Sequence, residues 1–190
     1  KISRFDPSQK RRYTSTFKVP IRKGTTLLDA LLYIKDNLDE SLTFRQSCRM
    51  GICGDCAINV DGKPMLACYT QVLDLGVDSL HLEPLSNATV IKDLIVNMQP
   101  FFNTYKKIRN VLLKPEEDLK KTTEFLQSPA DLKKYWDLTL CIKCSICNSA
   151  CPAVIDEKFL GPSALTATYR FTVDSRDQGA GERLKRMADN

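Results

Sequence analysis

Eight cysteines carry most of the chemistry that this 190-residue sequence could support, and they fall into two tight groups of four. Closely spaced thiols of this kind are typical of metal sites, whereas a disulfide framework suits small secreted chains with little core. The first group, spaced C-x4-C-x2-C-x11-C, is Cys48, Cys53, Cys56 and Cys68. The second group, spaced C-x2-C-x2-C-x3-C and followed by Pro152, is Cys141, Cys144, Cys147 and Cys151.

The first three cysteines have the spacing of plant-type loops that hold a [2Fe–2S] cluster. Gly51 and Gly54 permit a tight wrap, so that three thiolates can converge from one side while backbone N–H groups point at the sulfurs. Cys68 would then arrive from the far strand of the following hairpin. A structural zinc site or buried free thiols are the alternatives, although zinc favours C-x2-4-C pairs separated by a long spacer.

Asp55 lies between two of these cysteines and has two interpretations. As a solvated loop residue it would have no role, and this interpretation is slightly favoured. As a carboxylate beside a cluster it would lower the reduction potential, because local charge and hydrogen bonds set that potential.

The second group has the spacing of bacterial-type runs that hold a [4Fe–4S] cluster. Its first three cysteines can occupy three corners of the cube, whereas the fourth cysteine of such a run ligates another cluster in two-cluster proteins. The run therefore implies further cysteine ligands elsewhere. A self-contained zinc site that uses all four thiolates is the alternative.

The elements around the cysteines predict an α+β fold with a domain boundary near residue 97. Before it, KISRFDP with YTSTFKVPI and CAINVDGKPMLACYT read as hairpins, and SLHLEPL as a short strand. TLLDALLYIKDNL reads as a helix with a Thr26–Asp29 capping box and Leu28, Leu31, Leu32 and Leu38 on one face. Further on, helices are predicted for Ile91–Tyr105, EDLKKTTEFL, PADLKKYWDL and GPSALTATYRFTVDSR.

The two cysteine motifs, in this order, resemble the iron–sulfur subunit of succinate dehydrogenases and fumarate reductases. The resemblance covers nearly the whole chain, including SCRMGICGDCAINVDGKPMLAC (47–68), LEPL with the segment after it, CIKCSICNSACP, and the cysteine-free FLGPSALTATYRFTVDSRD (159–177). It implies a β-grasp plant-type ferredoxin domain over residues 1–97. It also implies an all-helical bacterial-type ferredoxin domain over residues 98–190, truncated at its C-terminus.

The same resemblance implies how iron is bound. A [2Fe–2S] cluster would be held by Cys48, Cys53, Cys56 and Cys68. Three corners of a [4Fe–4S] cluster would be held by Cys141, Cys144 and Cys147, and Cys151 would be one ligand of a [3Fe–4S] cluster. Family members carry three more cysteines downstream, so the last two clusters would need ligands beyond Asn190.

The implied function is electron transfer within an enzyme whose catalytic site lies on another subunit. Single electrons would pass between the FAD of a flavoprotein partner and a quinone, linking the tricarboxylic acid cycle to the respiratory chain. Membrane-anchor subunits would hold the chain on the inner, cytoplasmic face of the cell membrane, with the mitochondrial inner membrane as the other option.

The quinone site is where the sequence departs from the family. Pro152 is retained, but Ile155 and Asp156 stand where many members have two tryptophans. A thiol-linked fumarate reductase that uses no quinone, or a ferredoxin-like carrier, is therefore the alternative. A molybdenum hydroxylase subunit fits poorly, because its second cluster motif differs from CIKCSICNSACP.

Composition argues against several other classes. The net charge of +5 is not clustered, which argues against nucleic-acid binding, and the sequence holds no bilayer-spanning apolar run. With His81 as the only histidine and no glycine-rich dinucleotide motif, the dicarboxylate chemistry must lie on a partner. Trp136, the only tryptophan, is predicted to pack in the helical core.

Overall fold

The computed structural model describes residues 1–120, 122–156 and 158–189, so Asn190, the last residue of the predicted helical domain, lies outside the described residues. The chain divides into two compact units. The first comprises Lys1–Met98 together with Ile142–Ala150, and the second comprises Gln99–Cys141 and the residues from Cys151 onward. The sequence assigned residues 142–150 to the helical domain, but hydrogen bonds and packing group them with the first unit.

Strands dominate the first unit and helices the second. The strands are β1 (Ile2–Asp6), β2 (Arg11–Ser15), β3 (Ala57–Val60), β4 (Lys63–Leu66), β5 (Leu82–Glu83), β6 (Val90–Lys92) and β7 (Ile95–Val96). The α-helices are α1 (Leu27–Asn37), α2 (Gln99–Lys107), α3 (Glu116–Leu119), α4 (Pro129–Lys133), α5 (Trp136–Thr139), α6 (Ile146–Ala150), α7 (Pro162–Thr172) and α8 (Ala180–Ala188). Short 3-10 turns cover Leu73–Leu75 and Pro152–Ile155.

A mixed sheet with the strand order β2-β1-β5-β3-β4 forms the centre of the first unit. β1 and β5 run parallel, and the other neighbouring strands run antiparallel. Both predicted hairpins, β1–β2 and β3–β4, are confirmed. Asp61 and Gly62 both have positive φ at the β3–β4 turn, as a two-residue Asp-Gly hairpin loop requires.

Helix α1 packs against this sheet, and its predicted capping box is confirmed. The Thr26 hydroxyl accepts a hydrogen bond from the Asp29 N–H (3.1 Å), and the Asp29 carboxylate accepts one from the Thr26 N–H (2.9 Å). The buried face of α1 joins Ile58 and Val60 in the main core. Leu38 was predicted to lie on that face, but it is exposed because the helix ends at Asn37.

Residues 90–96 form the β6–β7 hairpin, so the helix predicted over Ile91–Tyr105 is wrong in its first half. Helix α2 begins only at Gln99. Asp93 has a φ of +47° between the two strands, and its carboxylate accepts hydrogen bonds from the N–H groups of Phe5 (3.1 Å) and Thr43 (2.9 Å). These contacts, distant in sequence, outweigh the helical spacing of a short apolar run.

The second unit is less regular than the sequence predicts. Helix α7 is confirmed, with Pro162 in its first turn. In the described part of EDLKKTTEFL, which excludes Lys121, the helix is limited to the short α3. PADLKKYWDL is split into α4 and α5 around the buried Tyr135, whose hydroxyl lies 2.8 Å from the Asp174 carboxylate. Trp136 is 53% exposed, so its predicted place in the core is wrong.

Of the helices in the described ranges, none is both long enough and apolar enough to cross a bilayer.

Candidate functional site

The first cysteine loop wraps its backbone around the sulfur of Cys48. The N–H groups of Ile52 and Cys53 each donate to the Cys48 Sγ at 3.3 Å, and the Met50 N–H donates at 3.5 Å. N–H groups aimed at sulfur are the arrangement predicted for a loop that stabilises thiolates and tunes a cluster.

The same hydrogen-bond pattern extends to Cys56 and Cys68, the two predicted ligands near the ends of strands. The Gly51 N–H donates to the Cys68 Sγ (3.2 Å), and the Cys68 N–H donates to the Cys56 Sγ (3.4 Å). Cys68 lies two residues after the end of β4 and is buried, as is Cys56 just before β3. The hairpin thus brings Cys68 back to the loop, as the sequence predicted.

The two loop glycines occupy conformations that other residues rarely adopt. Gly51 has a φ of +74° and Gly54 a φ of +80°. A β-carbon on Gly51 would also lie 3.1 Å from the ring of Tyr69. The tight wrap therefore depends on glycine at these positions.

The loop sets the acidity of its thiols in opposite directions. Backbone N–H donors lower the pKa of the Cys48 thiol to about 6, because they stabilise the thiolate. Burial raises the pKa of the Cys56 thiol to about 11. The thiolate is the form that binds metal. Cys48 is therefore already in the binding form at neutral pH, whereas Cys56 would have to lose its proton to bind iron.

Among the residues that the structure describes, no three Cys, His, Asp or Glu side chains are grouped as ligands of one metal ion. An iron–sulfur cluster does not require such a group. Each of its irons takes only one or two cysteine thiolates, and bridging sulfides complete the coordination. The donor set of the first loop, four thiols with N–H groups directed at three of them, fits such a cluster.

The second cysteine run is divided between the two units. Cys144 and Cys147 belong to the first unit, and Cys141 and Cys151 to the second. Lys143 and Ser145 have φ values of +57° and +64°, so the backbone turns sharply on both sides of Cys144. The joint ligation of clusters by this run stays a prediction.

Residues next to this run have varied surroundings. In the second unit, the Tyr105 hydroxyl lies 4.0 Å from the Cys141 Sγ. Pro152 is exposed at the start of its 3-10 turn, and Ile155 at the end of that turn is 77% exposed.

In the first cysteine loop, Asp55 is exposed, as a solvated loop residue would be.

The two cysteine loops meet at Gly54. A β-carbon on Gly54 would lie 2.7 Å from the Cβ of Cys144 and 2.8 Å from its Cα, so only glycine permits this approach. Both residues belong to the first unit. A tight loop predicts glycine at this position, but the cysteine spacing does not indicate which residue it contacts.

A polar contact that the sequence analysis missed attaches α6 to the sheet. The Ser86 N–H donates to the Ser149 Oγ (2.9 Å), and the Ser149 hydroxyl donates to the Asn59 Oδ1 (3.4 Å). The Asn87 side chain donates to the Asn148 carbonyl (2.9 Å). A polar residue, Asn59, in an otherwise apolar strand was the available signal.

Comparison with known proteins gives consistent matches. Residues 1–103 match the family described as a 2Fe-2S iron-sulfur cluster binding domain. The chain is 39% identical over 189 residues to the fumarate reductase iron-sulfur subunit of Mycobacterium tuberculosis, covering 98% of this chain and 76% of that protein. It is 37% identical over 196 residues to the same subunit of Haemophilus influenzae, covering 96% and 76%.

A solved structure shares the fold. A chain of the Mycobacterium smegmatis Sdh1 complex in the apo form matches with a TM-score of 0.70 over 99% of this chain and 94% of that chain. Because the two sequences are only 22% identical, this likeness concerns the fold alone.

Proposed function

The chain belongs to the family of iron–sulfur subunits of fumarate reductases and succinate dehydrogenases, and from this premise we propose that it is the electron-transfer subunit of a succinate:quinone oxidoreductase. It passes single electrons between the FAD of a flavoprotein partner and a quinone at the membrane. The observation that carries the proposal is the contact of the two cysteine loops at Gly54 and Cys144, because electrons tunnel efficiently only over short separations.

The first domain, residues 1–97, is a β-grasp plant-type ferredoxin domain in this proposal. The mixed sheet, with α1 packed against it and the cysteine loop between α1 and β3, supports that assignment. The second domain, residues 98–190, is a helical bacterial-type ferredoxin domain. Its cysteine run supports this, although residues 142–150 group with the first unit.

Three clusters fit the donor sets. Cys48, Cys53, Cys56 and Cys68 hold a [2Fe–2S] cluster, with N–H groups already directed at the sulfurs of Cys48, Cys56 and Cys68. Cys141, Cys144 and Cys147 hold three corners of a [4Fe–4S] cluster, and Cys151 is one ligand of a [3Fe–4S] cluster. The last two clusters need further cysteines from outside residues 1–190.

The clusters, when bound, supply reversible one-electron chemistry at iron. The chain's own residues hold them in place and control their surroundings. Buried Cys56 and Cys68 limit access of water to one side of the first site, and the N–H donors offset negative charge on the sulfurs. Both effects act on the reduction potential, which burial and hydrogen bonds set.

Membrane-anchor subunits hold the complex at the inner face of the membrane in this proposal. Pro152, exposed on its turn, is the candidate quinone contact. Ile155 and Asp156 in place of the family's tryptophans favour a second candidate, a fumarate reductase whose electron partner is a thiol-linked redox subunit.

Analysis of the complex isolated with its native partners tests the proposal. We expect iron and acid-labile sulfide for three clusters, and three EPR signals, including one from an oxidised [3Fe–4S] centre. A Cys147→Ser variant should lose the [4Fe–4S] signal and keep the reduced [2Fe–2S] signal. A native complex with only a [2Fe–2S] signal would contradict the proposal and leave a simple carrier.

A further inference from the structure

We propose that Asn59, Ser86 and Ser149 are positioning residues that fix the separation of the two cysteine loops and thereby the rate of electron transfer between their clusters. We call these three residues the polar clamp. The inference rests on the proposed function, because it requires a cluster at each loop. It goes further by naming the side chains that set the distance between them.

The clamp is a closed set of hydrogen bonds within the first unit, of which the Ser149–Asn59 bond is buried and the two bonds to the exposed Ser86 are partly buried. The Ser86 N–H donates to the Ser149 Oγ (2.9 Å), the Ser149 hydroxyl donates to the Asn59 Oδ1 (3.4 Å), and the Asn59 amide donates to the Ser86 Oγ (2.8 Å). Asn59 is 5% exposed and Ser149 is 8% exposed. Because each member contacts the other two, the three residues specify one arrangement.

Helix α6, which carries Cys147, depends on such contacts for its position. A helix of five residues is not stable alone, so tertiary contacts must hold it. Its buried side chains are the polar Asn148 and Ser149, and Ile146 adds a partly buried apolar contact. Apolar packing tolerates small slides, whereas hydrogen bonds require a defined distance and angle.

The clamp is close in sequence to ligands of both predicted clusters. Asn59 is three residues after Cys56, and Ser149 is two residues after Cys147. The contact of Gly54 with Cys144 attaches the two loops at one point and by itself would leave a pivot. The clamp supplies further attachment, together with the hydrogen bond from the Asn87 side chain to the Asn148 carbonyl (2.9 Å), and so restrains rotation about the first point.

The test uses the assembled complex and reads the distance between clusters directly. A fast-relaxing neighbouring centre raises the microwave power at which the reduced [2Fe–2S] EPR signal half-saturates, and this enhancement falls steeply with distance. We expect Ser149→Ala to lose part of the enhancement while iron and sulfide contents stay unchanged. Cys147→Ser, which lacks the neighbouring cluster, supplies the value without enhancement.

Matched variants separate positioning from general destabilisation. Ser149→Thr keeps the hydroxyl and should restore the enhancement. Ser163→Ala removes another buried serine, in α7 of the second unit, and should leave the enhancement unchanged. Asn59→Leu opens the clamp from strand β3, outside the second cysteine run, and should reproduce the loss seen with Ser149→Ala.

The outcomes distinguish the clamp from the proposed function. If the native complex shows no enhancement over Cys147→Ser, the two-cluster function itself is wrong. If the native complex shows it and both Ser149→Ala and Asn59→Leu retain it fully, the function stands and the clamp is refuted. If Ser149→Ala loses the second cluster, the test depends on Asn59→Leu. A reduced enhancement in that variant supports the clamp, and a full enhancement refutes it.

Discussion

At the scale of single residues, the cysteines of the first loop differ in hydrogen bonding and burial. Three N–H groups surround the Cys48 sulfur, whereas Cys56 is buried beside β3. Assembly of a cluster is thus expected to begin where the thiolate already exists and to finish at the buried thiol.

This inequality predicts the pH dependence of thiol reactivity in the cluster-free chain. With a pKa of about 6, the Cys48 thiol is mainly ionised at neutral pH, whereas the Cys56 thiol, with a pKa of about 11, is protonated. We expect iodoacetamide to modify Cys48 first, and its rate to fall as the pH drops through about 6. Mass-spectrometric mapping of alkylation against pH checks this, and equal rates at both thiols would contradict it.

Asp55 supplies a second test at this scale. Its exposed carboxylate lies between two predicted ligands, so Asp55→Asn removes one negative charge near the cluster. We expect the [2Fe–2S] reduction potential to rise, because negative charge disfavours the reduced state. Redox titration followed by EPR measures it, with Asp78→Asn, an exposed acid outside the loop, as the control. An unchanged potential in Asp55→Asn would leave that residue as a solvated loop acid.

At the scale of elements, the β6–β7 hairpin depends on one buried ion pair. Arg4 in β1 pairs through its Nε with the Asp93 carboxylate at 2.9 Å, and both side chains are buried. Asp93 also accepts the N–H groups of Phe5 and Thr43. This carboxylate therefore attaches the hairpin to β1 and to the segment after α1, beside backbone hydrogen bonds from the Asp93 N–H to the Phe5 carbonyl (3.3 Å) and from the Leu94 N–H to the Thr43 carbonyl (3.2 Å).

Removal of that carboxylate should destabilise the first unit strongly. We expect Asp93→Ala to lower the free energy of unfolding by about 3–5 kcal/mol, because it leaves the buried Arg4 charge with Asp39 alone and the N–H groups of Phe5 and Thr43 without their acceptor. Urea unfolding monitored by circular dichroism gives the value. Asp36→Ala, at an exposed site of α1, should change it by no more than about 0.5 kcal/mol. A similar small change in Asp93→Ala would show that the pair contributes little.

Elements with local causes were predictable from the sequence. Helix α1 begins at a capping box whose two residues are three apart, and the β3–β4 turn is set by adjacent Asp61 and Gly62. Elements with distant causes were not predictable. The Asp93 turn depends on hydrogen bonds from the N–H groups of Phe5 and Thr43. The break between α4 and α5 occurs where the Tyr135 hydroxyl donates a hydrogen bond to the Asp174 carboxylate.

The same distinction holds for the candidate site. Cysteine spacing and loop glycines identify the first site because its geometry is local. The meeting of Gly54 with Cys144 joins residues ninety positions apart, and no pattern in one sequence encodes that pairing.

At the scale of the whole molecule, a cluster acts as a crosslink. The proposed ligation through Cys48, Cys53 and Cys56 on the loop and Cys68 after β4 would tie two separate segments together in the native state. Removal of iron by anaerobic chelation should therefore lower the melting temperature, by about 2–4 °C for each kcal/mol of binding free energy lost. Calorimetry measures this. A Cys68→Ser variant, in which the crosslink is already broken, should respond less, and an equal response would argue against the crosslink.

The course of the chain between its two units has an evolutionary consequence. The first unit is completed by residues 142–150, so the chain leaves it after Met98, returns at Ile142 and leaves again after Ala150. A gene fusion or deletion with one breakpoint near residue 98 would separate Ser149, which hydrogen-bonds to Asn59 and Ser86, from the sheet that contains Asn59. Because residues 142–150 complete the first unit, we expect them to be inherited together with residues 1–98.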